Sequence, residues 1–62
     1  LNKLRDIREQ KAMSISELAR ASNVSRQTIY RLENEEEETA NSKTLKALAA
    51  ALNVSVLDFF SA

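Results

Sequence analysis

With no glycine and no proline in its 62 residues, this chain lacks the two residues that most often stop a helix and turn it. Asn is the next best choice, because its short polar side chain tolerates the left-handed conformation that ends a helix. Asn23, Asn34 and Asn53 each stand where a run of helical periodicity ends. The starts are marked by polar caps. Leu1, Leu4 and Ile7 step at three-residue intervals and predict a first helix over about 2–12. Ser14-Ile15-Ser16-Glu17 reads as a capping box opening a second helix that runs to about Ser22. Ser25 caps a third, from Arg26 to about Glu33, and Asn41 caps a fourth, from about Ser42 to Leu52. A short fifth is expected from Val56 to Phe60, where Ser55-Val56-Leu57-Asp58 resembles a second capping box. No segment alternates like a strand, and nothing repeats. The expectation is an all-α, compact five-helix bundle.

The length suits a single domain. At this size folding hides only about 60% of the surface the unfolded chain exposes, so stability is expected to be modest. Cys and His are both absent, which removes disulfides, thiolate metal sites, the commonest metal ligand and the commonest general base. Without glycine there is no glycine-rich phosphate loop. No nucleophile–base pair and no metal cluster can be assembled, so an enzyme is the least favoured class and no cofactor or metal is expected. No apolar run approaches the roughly 18 residues needed to span a membrane, so a soluble cytoplasmic protein is expected. The chain opens on Leu1 rather than Met, and residues 1–62 are expected to be one domain of a longer protein.

Net charge is zero, which by itself argues against a nucleic-acid partner. Its distribution argues the other way, because local charge decides what a surface attracts. Residues 1–32 carry Lys3, Arg5, Arg8, Lys11, Arg20, Arg26 and Arg31 against Asp6, Glu9 and Glu17. Residues 33–42 carry Glu33 and Glu35 to Glu38 and no base. That acidic run, Glu35 to Glu38, is read as part of the loop between the third and fourth helices, directed away from any polyanion.

Only about three residues separate the second and third helices, and so short a link forces a sharp angle, as in a helix-turn-helix over residues 15–34. Ala19 is small where the two helices would cross, and Asn23 can take the strained turn position. Leu18, Val24, Ile29 and Leu32 supply the apolar sides. The segments Ser14-Ile15-Ser16-Glu17-Leu18-Ala19, Asn23-Val24-Ser25-Arg26-Gln27-Thr28-Ile29 and Arg31-Leu32-Glu33-Asn34 together resemble the Cro and phage-repressor (XRE-type) family of helix-turn-helix regulators. Leu4 and Ile7-Arg8 upstream match the same pattern, as do Leu45, Leu48-Ala49 and Leu52-Asn53-Val54-Ser55 downstream. The resemblance covers nearly the whole chain and implies a lambda-repressor-like DNA-binding domain.

On a wheel of about 100° per residue, Ile29 and Leu32 define the buried side of the third helix. Gln27, Tyr30 and Arg31 fall opposite, with Arg26 and Thr28 at the flanks. Arg can grip guanine O6 and N7 with two hydrogen bonds, and Gln can do the same at adenine N6 and N7. The resemblance implies base contacts from Ser25, Arg26, Gln27 and Arg31. It places Ser14, already an N-cap, against a phosphate, and Thr28, Tyr30 and Asn34 complete the expected DNA-binding set. Ile15 departs from the family, which often has a phosphate-contacting Gln there. Ser22 departs too, where a larger apolar residue is usual, and a slightly thinner core is expected. Glu33 falls near the buried side of the third helix, where an unpaired carboxylate would be costly, and the resemblance implies that Arg8 faces it as a structural partner. Val56, Leu57, Phe59 and Phe60 cannot all face inward on so short an element, so part of that patch is expected to meet a second copy or a further segment. The expected partner is double-stranded DNA carrying a two-fold-related operator, bound by a homodimer. The competing reading is a protein-interaction module on the same fold, using the acidic loop 35–38 and the apolar helix 56–60.

Overall fold

The computed structural model describes residues 2–34 and 40–60. Leu1 and the acidic run Glu35 to Glu38 lie outside the described residues. Four α-helices follow one another: α1 (Asn2–Gln10), α2 (Ile15–Ser22), α3 (Arg26–Asn34) and α4 (Ser42–Leu52). A 3-10 helix over Val56–Phe60 ends the described chain, and no strand occurs among the described residues. The expected fifth α-helix is therefore this 3-10 element. So short an element gains little from α-helical propagation, and three bonds at its start favour the tighter winding. Asp58 N–H donates to the Ser55 carbonyl at 3.0 Å, Leu57 N–H to the Ser55 hydroxyl at 3.0 Å, and Ser55 N–H to the Asp58 carboxylate at 3.0 Å.

The starts of the α-helices follow the caps. Glu17 N–H donates to the Ser14 hydroxyl at 3.0 Å and Ser14 N–H to the Glu17 carboxylate at 2.8 Å, closing the capping box. Thr44 N–H donates to the Asn41 side-chain oxygen at 2.8 Å, and Thr28 N–H to the Ser25 hydroxyl at 3.2 Å.

The ends depart from expectation in two places. Asn23 (φ 60°) and Asn53 (φ 58°) are left-handed, but Asn34 is not; it is the last residue of α3. Its amide nitrogen donates to the Tyr30 carbonyl one turn back, at 2.8 Å. Among the described residues the third left-handed one is instead Ala12 (φ 57°), so α1 stops at Gln10 rather than near residue 12. Ala12 N–H donates to the Glu9 carbonyl at 3.0 Å and Met13 N–H to the Arg8 carbonyl at 3.2 Å. This paired pattern satisfies the carbonyls left open at a helix end. The exit of α4 repeats it, with Asn53 N–H on Ala50 at 3.2 Å and Val54 N–H on Ala49 at 3.0 Å. In both turns the next residue, Met13 or Val54, packs against the core.

The core is one cluster: Leu4 and Ile7 from α1, Leu18 from α2, Ile29 and Leu32 from α3, Leu48, Ala49 and Leu52 from α4, and Phe59. Burying each of the larger side chains stabilises the fold by about 1.5–3 kcal/mol. The helix α2 packs on α3 and α4, α1 packs on α3, and the 3-10 helix packs on α1 and α4. Overall dimensions are 25 × 20 × 19 Å. No helix among the described residues is long and apolar enough to cross a membrane.

Candidate nucleic-acid interface

The turn between α2 and α3 is Asn23-Val24-Ser25, and each residue has a separate task. Asn23 reverses the chain through its left-handed backbone. Val24 is half-buried against the core. Ser25 caps α3, and its hydroxyl also donates to the Thr28 hydroxyl at 2.8 Å. Behind the turn, the Ser22 hydroxyl donates to the Leu18 carbonyl at 2.6 Å and accepts from Val24 N–H at 3.3 Å. Where a thinner core was expected, buried Ser22 thus serves as a polar closure of α2.

With Ile29, Leu32 and Glu33 turned inward, α3 exposes Arg26, Gln27, Tyr30, Arg31 and Asn34. Thr28 is half-buried at the edge of this face, and Ser25 and Ser14 are exposed. The Arg26 guanidinium stands 3.5 Å from the Ser16 hydroxyl, tying the first turn of α3 to the first turn of α2. Ser16, Ala19, Arg20 and Arg26 line an open cleft of about 450 Å³ between them. The single acid in α3, Glu33, does not contribute to the exposed face.

The Glu33 carboxylate is 1% exposed and fully partnered. Arg8 grips it with two bonds, Nε to Oε2 at 2.7 Å and Nη2 to Oε1 at 3.2 Å. The bond to Glu33, more than any other influence, raises the Arg8 pKa. The third Arg8 contact, Nη1 to the Met13 carbonyl at 2.8 Å, joins the pair to the turn after α1.

A family model described as helix-turn-helix matches residues 4–59, from the first core leucine of α1 to the buried Phe59. The chain belongs to the XRE-type helix-turn-helix family. Among curated proteins none matches the chain. Membership makes this a DNA-binding helix-turn-helix domain whose ligand is the double helix. The arrangement suits that ligand: two capped helix starts linked through Arg26 and Ser16, and an outward face of α3 rich in Arg and Gln.

Sequence reasoning missed one polar member of the helix-turn-helix domain. Arg5 donates from Nη2 to the Asn34 side-chain oxygen at 2.6 Å and from Nε to Glu33 Oε1 at 3.5 Å. A signal was present, because Arg5 and Arg8 stand three residues apart and so share a face of α1. Asn34 consequently holds its side chain between Arg5 and the Tyr30 carbonyl.

Proposed function

We propose that this helix-turn-helix domain is the DNA-reading part of a sequence-specific, repressor-like transcription regulator. The observation that carries the reading is the exposed face of α3, where Arg26, Gln27, Tyr30, Arg31 and Asn34 lie together while the helix's one acid is buried. In the complex α3 enters the major groove N-terminus first. Arg26, Gln27 and Arg31 meet base edges, with Ser25 beside them. Ser14, at the start of α2, meets a phosphate, which the positive end of the helix favours. Thr28, Tyr30 and Asn34 flank the groove and fix register. The domain positions and reads; no bond is made or broken.

The regulator acts as a homodimer on a two-fold-related operator. Half-sites lie about 34–36 Å apart, centre to centre. A domain 25 Å in its longest dimension fits each of them and leaves room only for an edge contact. Leu57 is 76% and Phe60 57% exposed, and both suit that contact. Phe59 and Val56 belong to the core and its border instead. The same exposed pair is what favours the second reading, a protein-interaction module that has given up DNA. Selection of bound sequences from a random duplex pool separates the two. Enrichment of a two-fold-related motif is the expected result; failure to enrich any motif refutes sequence-specific reading.

A further inference from the structure

Residues 27, 31 and 34 stand at i, i+4 and i+7 and so follow one line along α3. The last of them, Asn34, is held from two sides, by its bond to the Tyr30 carbonyl and by the 2.6 Å bond from Arg5. Arg5 belongs to another helix, and its Nε also approaches Glu33. Arg8 already matches the charge of Glu33 with two bonds. Arg5 is therefore a second cation on a carboxylate that needs one. Its side chain is 48% exposed. A guanidinium has five N–H donors, of which these contacts use two.

We infer that Arg5 contacts a backbone phosphate in the DNA complex, carried to the end of α3 by Asn34. This rests on the reading that α3 lies in the major groove. The nine residues of α3 rise about 13 Å, and the groove is about 12 Å wide. With Arg26, Gln27 and Arg31 at the base edges, α3 brings its final residue, Asn34, toward the groove wall, where the phosphates are. That end carries about half a negative charge from the helix dipole, which repels phosphate. Arg31, in that last turn, is committed to the base edges in this reading, so a further cation is needed to hold a phosphate there. The sequence offers no Lys or Arg between Asn34 and Ser42, only the acidic run. Arg5, supplied by α1 and fixed by Asn34, fills the gap.

The test is the salt dependence of binding by the intact domain, on its selected site and on a random duplex, from about 50 to 200 mM salt. Arg5→Gln is expected to lower the slope of log K against log salt by about one on both duplexes. Binding should weaken about fivefold at 0.15 M, the change that one lost phosphate contact implies. Arg5→Lys keeps the charge and should restore the slope. Glu33 keeps Arg8 in either variant, and a thermal melt confirms that each is folded at the binding temperature. As a second measurement, single neutral methylphosphonates along the duplex should reveal a phosphate that the wild type and Arg5→Lys register and Arg5→Gln does not. Weaker binding at unchanged slope would assign Arg5 a purely structural role and overturn the inference, as would no change at all. Failure of the underlying reading looks different: Arg26→Ala and Gln27→Ala would then leave base preference untouched, whatever Arg5 does. A wild type that binds neither duplex overturns both.

Discussion

Arg8→Met leaves a carboxylate that is 1% exposed with only a half-exposed partner, Arg5, at 3.5 Å. The magnitude follows from what remains. Breaking a buried pair by removing one partner costs about 3–5 kcal/mol, because the survivor is an uncompensated charge. The remaining Arg5 offsets a part, which sets the Arg8→Met loss at about 3 kcal/mol. Glu33→Leu leaves Arg8 less stranded, since its side chain is 12% exposed and Nη1 keeps the Met13 carbonyl. Its loss is set lower, at about 2 kcal/mol. The double variant strands neither charge but gives up the bonds to Glu33, so it should cost about 2 kcal/mol rather than 5. The interaction read from the cycle is then about 3 kcal/mol. For 62 residues total stability is about 3–9 kcal/mol, so the Arg8→Met loss removes a third of it or more. All four proteins should therefore be unfolded by urea in one fixed concentration of trimethylamine oxide, which raises stability without touching the pair. Equal sums, with the double losing as much as the two singles together, would show that Arg8 and Glu33 do not depend on one another. The effect should be constant across ordinary pH. The Arg8 pKa is raised above the ordinary arginine value, so its contribution is fully present below that value and fades only in stronger base.

Three further outcomes are expected. Ala12→Gly should stabilise the domain by about 0.5–1 kcal/mol, because a left-handed Ala costs about 1–2 kcal/mol and Gly returns part of that as unfolded-state entropy; a lowered melting temperature would refute the strain. Glu17, held below its usual 4.5 first by the Ser14 backbone N–H and then by the Ser14 hydroxyl, should contribute stability above pH 4.5 that is lost as pH falls through its depressed value; melts of Glu17→Gln against pH should lack that acid-side loss, and an unchanged profile would count against it. Arg26→Ala or Gln27→Ala should cost about 1–3 kcal/mol on the selected site and relax base preference there, with smaller losses on random duplex; equal losses on both would mean phosphate contact alone.

What the sequence reveals and conceals follows the range of the forces involved. The starts of α2, α3 and α4 were legible because each cap bonds a backbone N–H only three residues away. The buried stripe of α3 was legible because its period is fixed by helix geometry. Ala12 gave no signal: Ala is the best helix former, and its left-handed backbone is imposed by the chain's need to reach α2. Asn34 misled in the opposite sense. Asn tolerates a left-handed stop, yet here two side-chain bonds keep it helical, and one comes from 29 residues away. Arg5 was overlooked, and Ser22 was noticed only as a gap in the core, for the same reason, since both depend on tertiary partners or on burial that spacing alone does not specify.

The Arg8–Glu33 pair also bears on alignment. Met13 donates to the Arg8 carbonyl and accepts from the Arg8 guanidinium, so the turn after α1 and the side chain of Arg8 form one unit. Ser14, the cap of α2, is the very next residue. At its other end Arg8 holds Glu33 in the last turn of α3. The start of α2 and the end of α3 are thus tied together by a polar strut outside the three-residue turn that joins them. An apolar replacement can fill the same space but has no directional bonds to hold that angle. The double variant Arg8→Met/Glu33→Leu is therefore expected to fold and still read DNA less well. Its affinity for the selected site should fall about tenfold relative to random duplex, equivalent to about 1.4 kcal/mol. The salt slope should stay unchanged, because neither residue is placed on a phosphate. A double variant that discriminates as sharply as the wild type would reduce the strut to a contribution to stability. An altered slope would instead place Arg8 itself on the DNA backbone.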